Sequence, residues 1–319
     1  MDSGLRESRR GSGPEISGET LFQAASISKA LTAFATLRLV DQGRLALDAP
    51  VNRYLRSWSL PNGDAGSSDS VTVALVMAHM AGLGSFAFPG YPPGDALPTL
   101  AQILDGAAPA NTPPVRIARA PGSTWAYSNG GYLVLQQAIE DVTGRPFPSL
   151  MDSLVLAPLG MQNSTFQQPL PADLEARAAV GHHENGEPLA GRWRVQPELA
   201  AAGLWTTAAD LARFALGVHA AANQSPEALL SAESAAALTT QRFINFSLGL
   251  LVRRNGRHAW FTHNGGNEGY RCLMYAYLTA GEGAVVMTNA DAGLALASEI
   301  INSIALEYGW PAFIPEEFW

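Results

Sequence analysis

The sequence predicts a layered α/β fold: an antiparallel sheet flanked by helices, built from both ends of the chain, with an all-helical domain inserted between them. Three observations predict it. A helical pattern follows Ser26, the middle of the chain reads as helices joined by irregular loops, and after residue 243 four strand-like runs lead into a last helix. The boundaries that follow are 1–60 and 200–319 for the sheet domain and 61–199 for the helical one.

Residues 1–20 are polar and rich in Gly and Ser, the composition of a poorly ordered end. Over 29–42 the apolar positions Leu31, Phe34, Ala35, Leu37 and Val40 fall at helical spacing and Gly43 supplies a stop. Ser26 and Lys29 therefore lie at the first turn of a helix. A polar linker at 63–70 precedes a helix ending near His79. Residues 82–114, rich in Pro, Gly and aromatics, read as a long irregular loop with one short helix around 101–104. A helix is expected over 130–142, ending at Gly144, with further helical pieces at 147–157 and 207–220. The ranges 243–252, 258–263, 270–279 and 283–288 read as strands with turn residues between them, and 293–308 as the closing helix. There is no internal repeat.

Composition narrows the class of function. In 319 residues, 47% hydrophobic and 15% charged content suit a compact core rather than a disordered chain. A net charge of -8 disfavours a nucleic-acid partner, which needs a basic face. The single cysteine, Cys272, excludes an internal disulfide and sits in an apolar run as a buried thiol would. The first residues carry no apolar core like that of a signal peptide, and Arg9-Arg10 is followed by Gly11-Ser12-Gly13-Pro14 rather than a hydrophobic segment. No window approaches the roughly 18 apolar residues of a spanning helix. The expectation is a cytoplasmic protein as the sequence stands, and a periplasmic one if the true start lies upstream.

The chemistry-bearing candidates are few. There is no Gly-x-Ser-x-Gly, no P-loop, no Gly-x-Gly-x-x-Gly and no His-Glu-x-x-His; His182-His183-Glu184 lacks metal-ligand spacing and reads as an exposed turn. What remains is Ser26-Ile27-Ser28-Lys29. A lysine one helical turn after a serine shares its face, so its amine can take the hydroxyl proton. The helix N-terminus favours the developing alkoxide and disfavours an ammonium. Alone the spacing is common. However, Lys29 is the single lysine in the chain, against nineteen arginines. An arginine could not give up its proton at that position, whereas a desolvated lysine can. Downstream, Tyr127-Ser128-Asn129 begins a helix and offers a proton shuttle and an amide anchor. His263-Asn264-Gly265-Gly266, between two strands, has a backbone open enough for an N–H to meet an oxyanion.

This set resembles the serine β-lactamase and penicillin-binding-protein superfamily, whose motifs are Ser-x-x-Lys, a second polar triplet and Lys-Thr-Gly. It looks most like the class C β-lactamase and family VIII carboxylesterase branch, whose second motif starts with tyrosine and whose third can start with histidine. Further stretches that carry the resemblance are Thr20-Leu21-Phe22, Leu45-Ala46-Leu47-Asp48-Ala49-Pro50, His79-Met80-Ala81-Gly82-Leu83 and Thr206-Thr207-Ala208-Ala209-Asp210-Leu211-Ala212-Arg213-Phe214. The resemblance implies a β-lactamase/transpeptidase-like fold in which Ser26 is acylated, Lys29 and Tyr127 handle its proton, and Asn129 orients the acyl group. The oxyanion would be held by the backbone N–H groups of Ser26 and Gly266, and His263 would assist beside Tyr127. No metal or organic cofactor is implied.

Two departures shape the expectation. His263 stands where β-lactamases carry a lysine for the substrate carboxylate. Family members also carry two strands of the sheet ahead of the serine motif, whereas 25 residues precede Ser26 here and do not read as strands. The strand at 283–288 is then expected to have an open edge that copies of the chain can share. The favoured reading is an esterase for small carboxylic esters or related amides, with Phe86, Phe88, Tyr91 and Trp205 as candidate walls of an acyl pocket. The alternatives are a class C-like β-lactamase or D-amino-acid peptidase, and a catalytically silent relative that binds peptidoglycan fragments or acts as a scaffold.

Overall fold

The computed structural model describes residues 15–84, 86–313 and 315. Most of the stretch expected to be poorly ordered, 1–14, lies outside them. The chain enters α1 (Ser28–Asp41) through a short 3-10 turn at Ala25–Ile27. Every residue from Ser28 to Leu37 is buried. A helix wrapped on all sides has no polar stripe, which is why the apolar spacing over 29–42 is only loosely periodic. Its hydroxyls turn back onto the helix itself: Thr32 donates to the Ser28 carbonyl and Thr36 to that of Thr32.

The helical middle contains α2 (Val73–Met77), α3 (Leu100–Asp105), α4 (Asn129–Thr143), α5 (Phe147–Met151) and α6 (Leu199–Ala202). Thr72, Thr99 and Ser128 cap the first turns of α2, α3 and α4 with their hydroxyls. Gly144 ends α4 in the left-handed conformation its position demanded. The piece expected at 147–157 divides, with α5 passing into a π-type turn at Asp152–Leu156.

Two further units close the molecule. A minimal antiparallel pair joins β1 (Phe22–Gln23) to β2 (Trp205–Thr206). After α7 (Ala208–Ala222) and α8 (Ala232–Thr239) come β3 (Leu251–Asn255), β4 (His258–Asn267), β5 (Tyr270–Tyr277) and β6 (Gly283–Thr288), antiparallel in that order, and then α9 (Gly293–Glu307). Two strands depart from expectation. β3 starts at Leu251 rather than 243, because residues 243–246 close a turn of their own with the Phe246 N–H on the Phe243 carbonyl. β4 runs past His263 through Gly265 and Gly266, which pair with Cys272 and Arg271, so the glycines lie in the ladder and not in a turn.

Alternation along β4 and β5 splits the core between two faces of the sheet. Ala259, Phe261, Cys272, Met274 and Ala276 join the main core with α1. Trp260, Leu273, Tyr275 and Tyr277 pack instead with Ala297, Ile301, Ala305 and Trp310 on the α9 side. His263 and Gly265 share the parity of Phe261 and so look toward α1. Among the described residues β6 has one strand neighbour, β5, and none of the helices is long and apolar enough to cross a membrane.

Candidate active site

Ser26 is half-buried in the 3-10 turn ahead of α1. Ala25 before it takes a left-handed φ of 47°, a strained conformation for a residue with a Cβ. Lys29 is wholly buried, its Nζ 3.0 Å from Ser26 Oγ, and it donates to the Ala201 carbonyl at 2.8 Å. That carbonyl is one of three at the end of α6 that its own helix leaves unpaired. Thr32 takes that of Ala200 and Asn267 that of Ala202. The short helix thus anchors the lysine through a second contact beside that with the serine. Burial holds the Lys29 amine well below its ordinary pKa, so it is poised to accept a proton.

Tyr127 hydrogen-bonds to Ser26, and Lys29 Nζ lies 5.0 Å from the centre of its ring. Burial raises its pKa, so the phenol keeps its proton at neutral pH and can pass it on. His263 is also buried; its Nδ1 lies 2.7 Å from the carbonyl of Asn264. A carbonyl only accepts, so Nδ1 carries the proton and Nε2, with no partner among the described residues, keeps a lone pair. Burial first, and the charge of Lys29 second, lower the His263 pKa to about 4. At neutral pH this ring is uncharged.

β4 packs against the Ala25–Ile27 turn. At Gly265 an added Cβ would stand 2.1 Å from the Ala24 carbonyl oxygen and 2.7 Å from Cys272 Sγ. Only glycine lets the strand run this close to the turn that carries Ser26. Gly265→Ala is therefore expected to displace Ser26, cutting kcat/KM on a simple ester by about 100-fold and stability by about 1–3 kcal/mol. Ester hydrolysis and thermal melts check this, and a variant with wild-type kcat/KM contradicts it. Gly266 follows in the same strand.

The remaining expected residues divide. Asn129 donates from Nδ2 to the Phe86 carbonyl at 2.7 Å, tying the 86–91 loop to the start of α4, while its Oδ1 is buried without a partner among the described residues. Phe86 and Phe88 are half-buried and meet edge to face at 5.8 Å. Tyr91 and Trp205 are corrections. Tyr91 is buried, with its hydroxyl accepting from the Asn111 N–H, and Trp205 has no exposure and packs between Trp193 and Tyr270. Neither can wall an open pocket. His182 is likewise no exposed turn residue, since its ring is buried against the Asn289 carbonyl. The Cys272 thiol is buried beside the Ala24 carbonyl, and burial pushes its pKa up to about 12. Two contributors escaped the sequence reading: Ala201, which acts through its backbone, and His79, whose ring lies against Tyr127.

Comparison with known proteins bears on the family and the fold. A family model described as Beta-lactamase matches residues 3–307. Esterase EstB of Burkholderia gladioli is 36% identical over 197 residues, 58% of this chain and 47% of its own, so the chain spans about half of that relative. Penicillin-binding protein 4 of Amycolatopsis lactamdurans is 27% identical over 315 residues, 92% of this chain and 79% of its own. The crystal structure of D-amino acid amidase from Ochrobactrum anthropi superposes with a TM-score of 0.73 over 98% of this chain and 92% of that one, a likeness of fold alone at 21% identity. With the family model spanning nearly the whole sequence, the chain belongs to the Beta-lactamase family.

Proposed function

We propose that this protein is a serine hydrolase that cleaves small carboxylic esters through an acyl-enzyme on Ser26. The observation that carries the reading is the 3.0 Å approach of a wholly buried Lys29 amine to Ser26 Oγ. Ser26 Oγ attacks the ester carbonyl while its proton passes to Lys29 Nζ. The oxyanion is received by the backbone N–H groups of Ser26 and Gly266. As the carbon–oxygen bond breaks, the Tyr127 hydroxyl protonates the departing alkoxide, and Lys29 returns a proton to Tyr127. Water then releases the acid by the reverse sequence, and no metal or organic cofactor takes part. Asn129 orients the acyl group, and Phe86 and Phe88 flank its apolar end.

Two further observations support an ester over a β-lactam or a D-amino-acid peptide. The uncharged His263 offers no cation to a substrate carboxylate. The relative that is 36% identical is named an esterase. The test is mass spectrometry of protein quenched during turnover of p-nitrophenyl butyrate. A butyryl adduct on the peptide holding Ser26, absent from Ser26→Ala, is expected. Turnover that survives Ser26→Ala overturns the reading.

A further inference from the structure

We propose that His79 is the positioning residue for Tyr127, setting the direction of the phenol toward Ser26; this rests on the hydrolase reading above. His79 follows α2 in the left-handed conformation, with φ 59°. That turn brings both its backbone and its ring to the segment that carries Tyr127. The His79 carbonyl accepts the N–H of Ala126 at 2.9 Å, and its Nδ1 accepts the N–H of Ser128 at 3.1 Å. The backbone N–H groups of the residues on either side of Tyr127 are thus both held by a single residue. The imidazole then lies against the phenol itself, with ring centres 4.3 Å apart and planes 32° from parallel. Tyr132, at 5.4 Å, and the edge of Phe246, also at 5.4 Å, hold the imidazole in place.

The tautomer follows from the bonding. To accept from Ser128, Nδ1 needs its lone pair, so the proton sits on Nε2, the reverse of His263. A charged ring would lose the Ser128 bond. Burial above all, with the neighbouring Lys29 and His263 next, pushes its pKa well below the ordinary histidine range. A tyrosine side chain has two free torsions, and backbone clamps on either side plus a ring face leave little freedom in them. Misplacing a proton donor by about 1 Å is enough to slow a reaction about 100-fold.

A double-mutant cycle between residues 79 and 127 tests this, read as p-nitrophenyl butyrate kinetics. His79→Leu removes the acceptor and the flat ring, and should lower kcat about 10- to 100-fold with KM changed less than about 3-fold. His79→Asn keeps an oxygen near the place of Nδ1 and tolerates the left-handed backbone, and should restore kcat to within about 5-fold of wild type. In a Tyr127→Phe background, His79→Leu should cost less than about 3-fold further. If the leucine variant does not fold, His79→Gln, whose amide overshoots the Ser128 N–H, takes its place in the cycle. Equal losses in both backgrounds, or no loss in either, overturn the proposal. A Ser26→Ala enzyme that still turns over would instead overturn the underlying reading, so the two failures are distinguishable.

Discussion

Exchanging Lys29 for arginine is expected to lower kcat/KM on a simple ester by about 1,000-fold or more, nearly as much as Ser26→Ala, although the positive charge is retained. The proton of Ser26 must move to a group with a free lone pair. A guanidinium keeps its protons throughout the accessible pH range. A planar fork would also have to be buried where Nζ is already held by Ser26 Oγ and the Ala201 carbonyl. The two residues act as a unit, so the double variant should be little worse than either single one. The pH profile follows from the direction of the shift. Desolvation lowers the Lys29 pKa, so the competent free amine forms at lower pH than for an exposed lysine. Activity should rise with pH as that amine loses its proton and then level off below the ordinary lysine range. A Lys29→Arg variant with activity within about 10-fold of wild type would remove the lysine from the role of base.

The sequence made this pair legible because its signal is local: one turn of helix, two residue types, and a lone lysine in an arginine-rich chain. The sheet was legible for a similar reason. β5 is buried on both faces with an apolar run long enough to read, and β4 carries a shorter one, Ala259-Trp260-Phe261. What escaped were contacts between segments distant in sequence. β1 and β2 are two residues each, and α6 four, too short for any period to show. The carbonyl of Ala201 has no side-chain signature at all. Gly265 and Gly266 looked like a turn because glycine pairs commonly are turns. In the fold, Gly265 lies in the β4–β5 ladder where a Cβ would collide with Ala24, a residue near the other end of the chain. The aromatics failed in the other direction. Trp205 and Tyr91 have the size and chemistry of pocket walls, but only tertiary packing shows that they are enclosed. His79 was visible inside a supporting stretch, yet its hold on Tyr127 depends on a left-handed backbone turn that composition does not announce.

Simple acyl esters are expected to exceed penicillins in kcat/KM by about 100-fold or more, and His263 is the reason. A penicillin brings a carboxylate, and binding it productively calls for a donor with positive charge. At His263 the one N–H is already spent on the Asn264 carbonyl, and the other nitrogen has no proton to offer an anion. Protonating the ring would reverse this, but with burial holding its pKa at about 4 the neutral form dominates wherever Lys29 is useful as a base. A hydrogen bond to a charged group contributes about 1.5–3 kcal/mol. At about 1.4 kcal/mol per factor of ten, its absence alone accounts for about one to two decades. Esters such as p-nitrophenyl acetate or butyrate carry no carboxylate and escape the penalty. The comparison is made on one preparation at about pH 7.5, measuring kcat/KM for p-nitrophenyl butyrate, benzylpenicillin and a chromogenic cephalosporin. Either β-lactam matching the ester would reverse the assignment, and would mean that some other group in the cleft supplies the charge that His263 lacks.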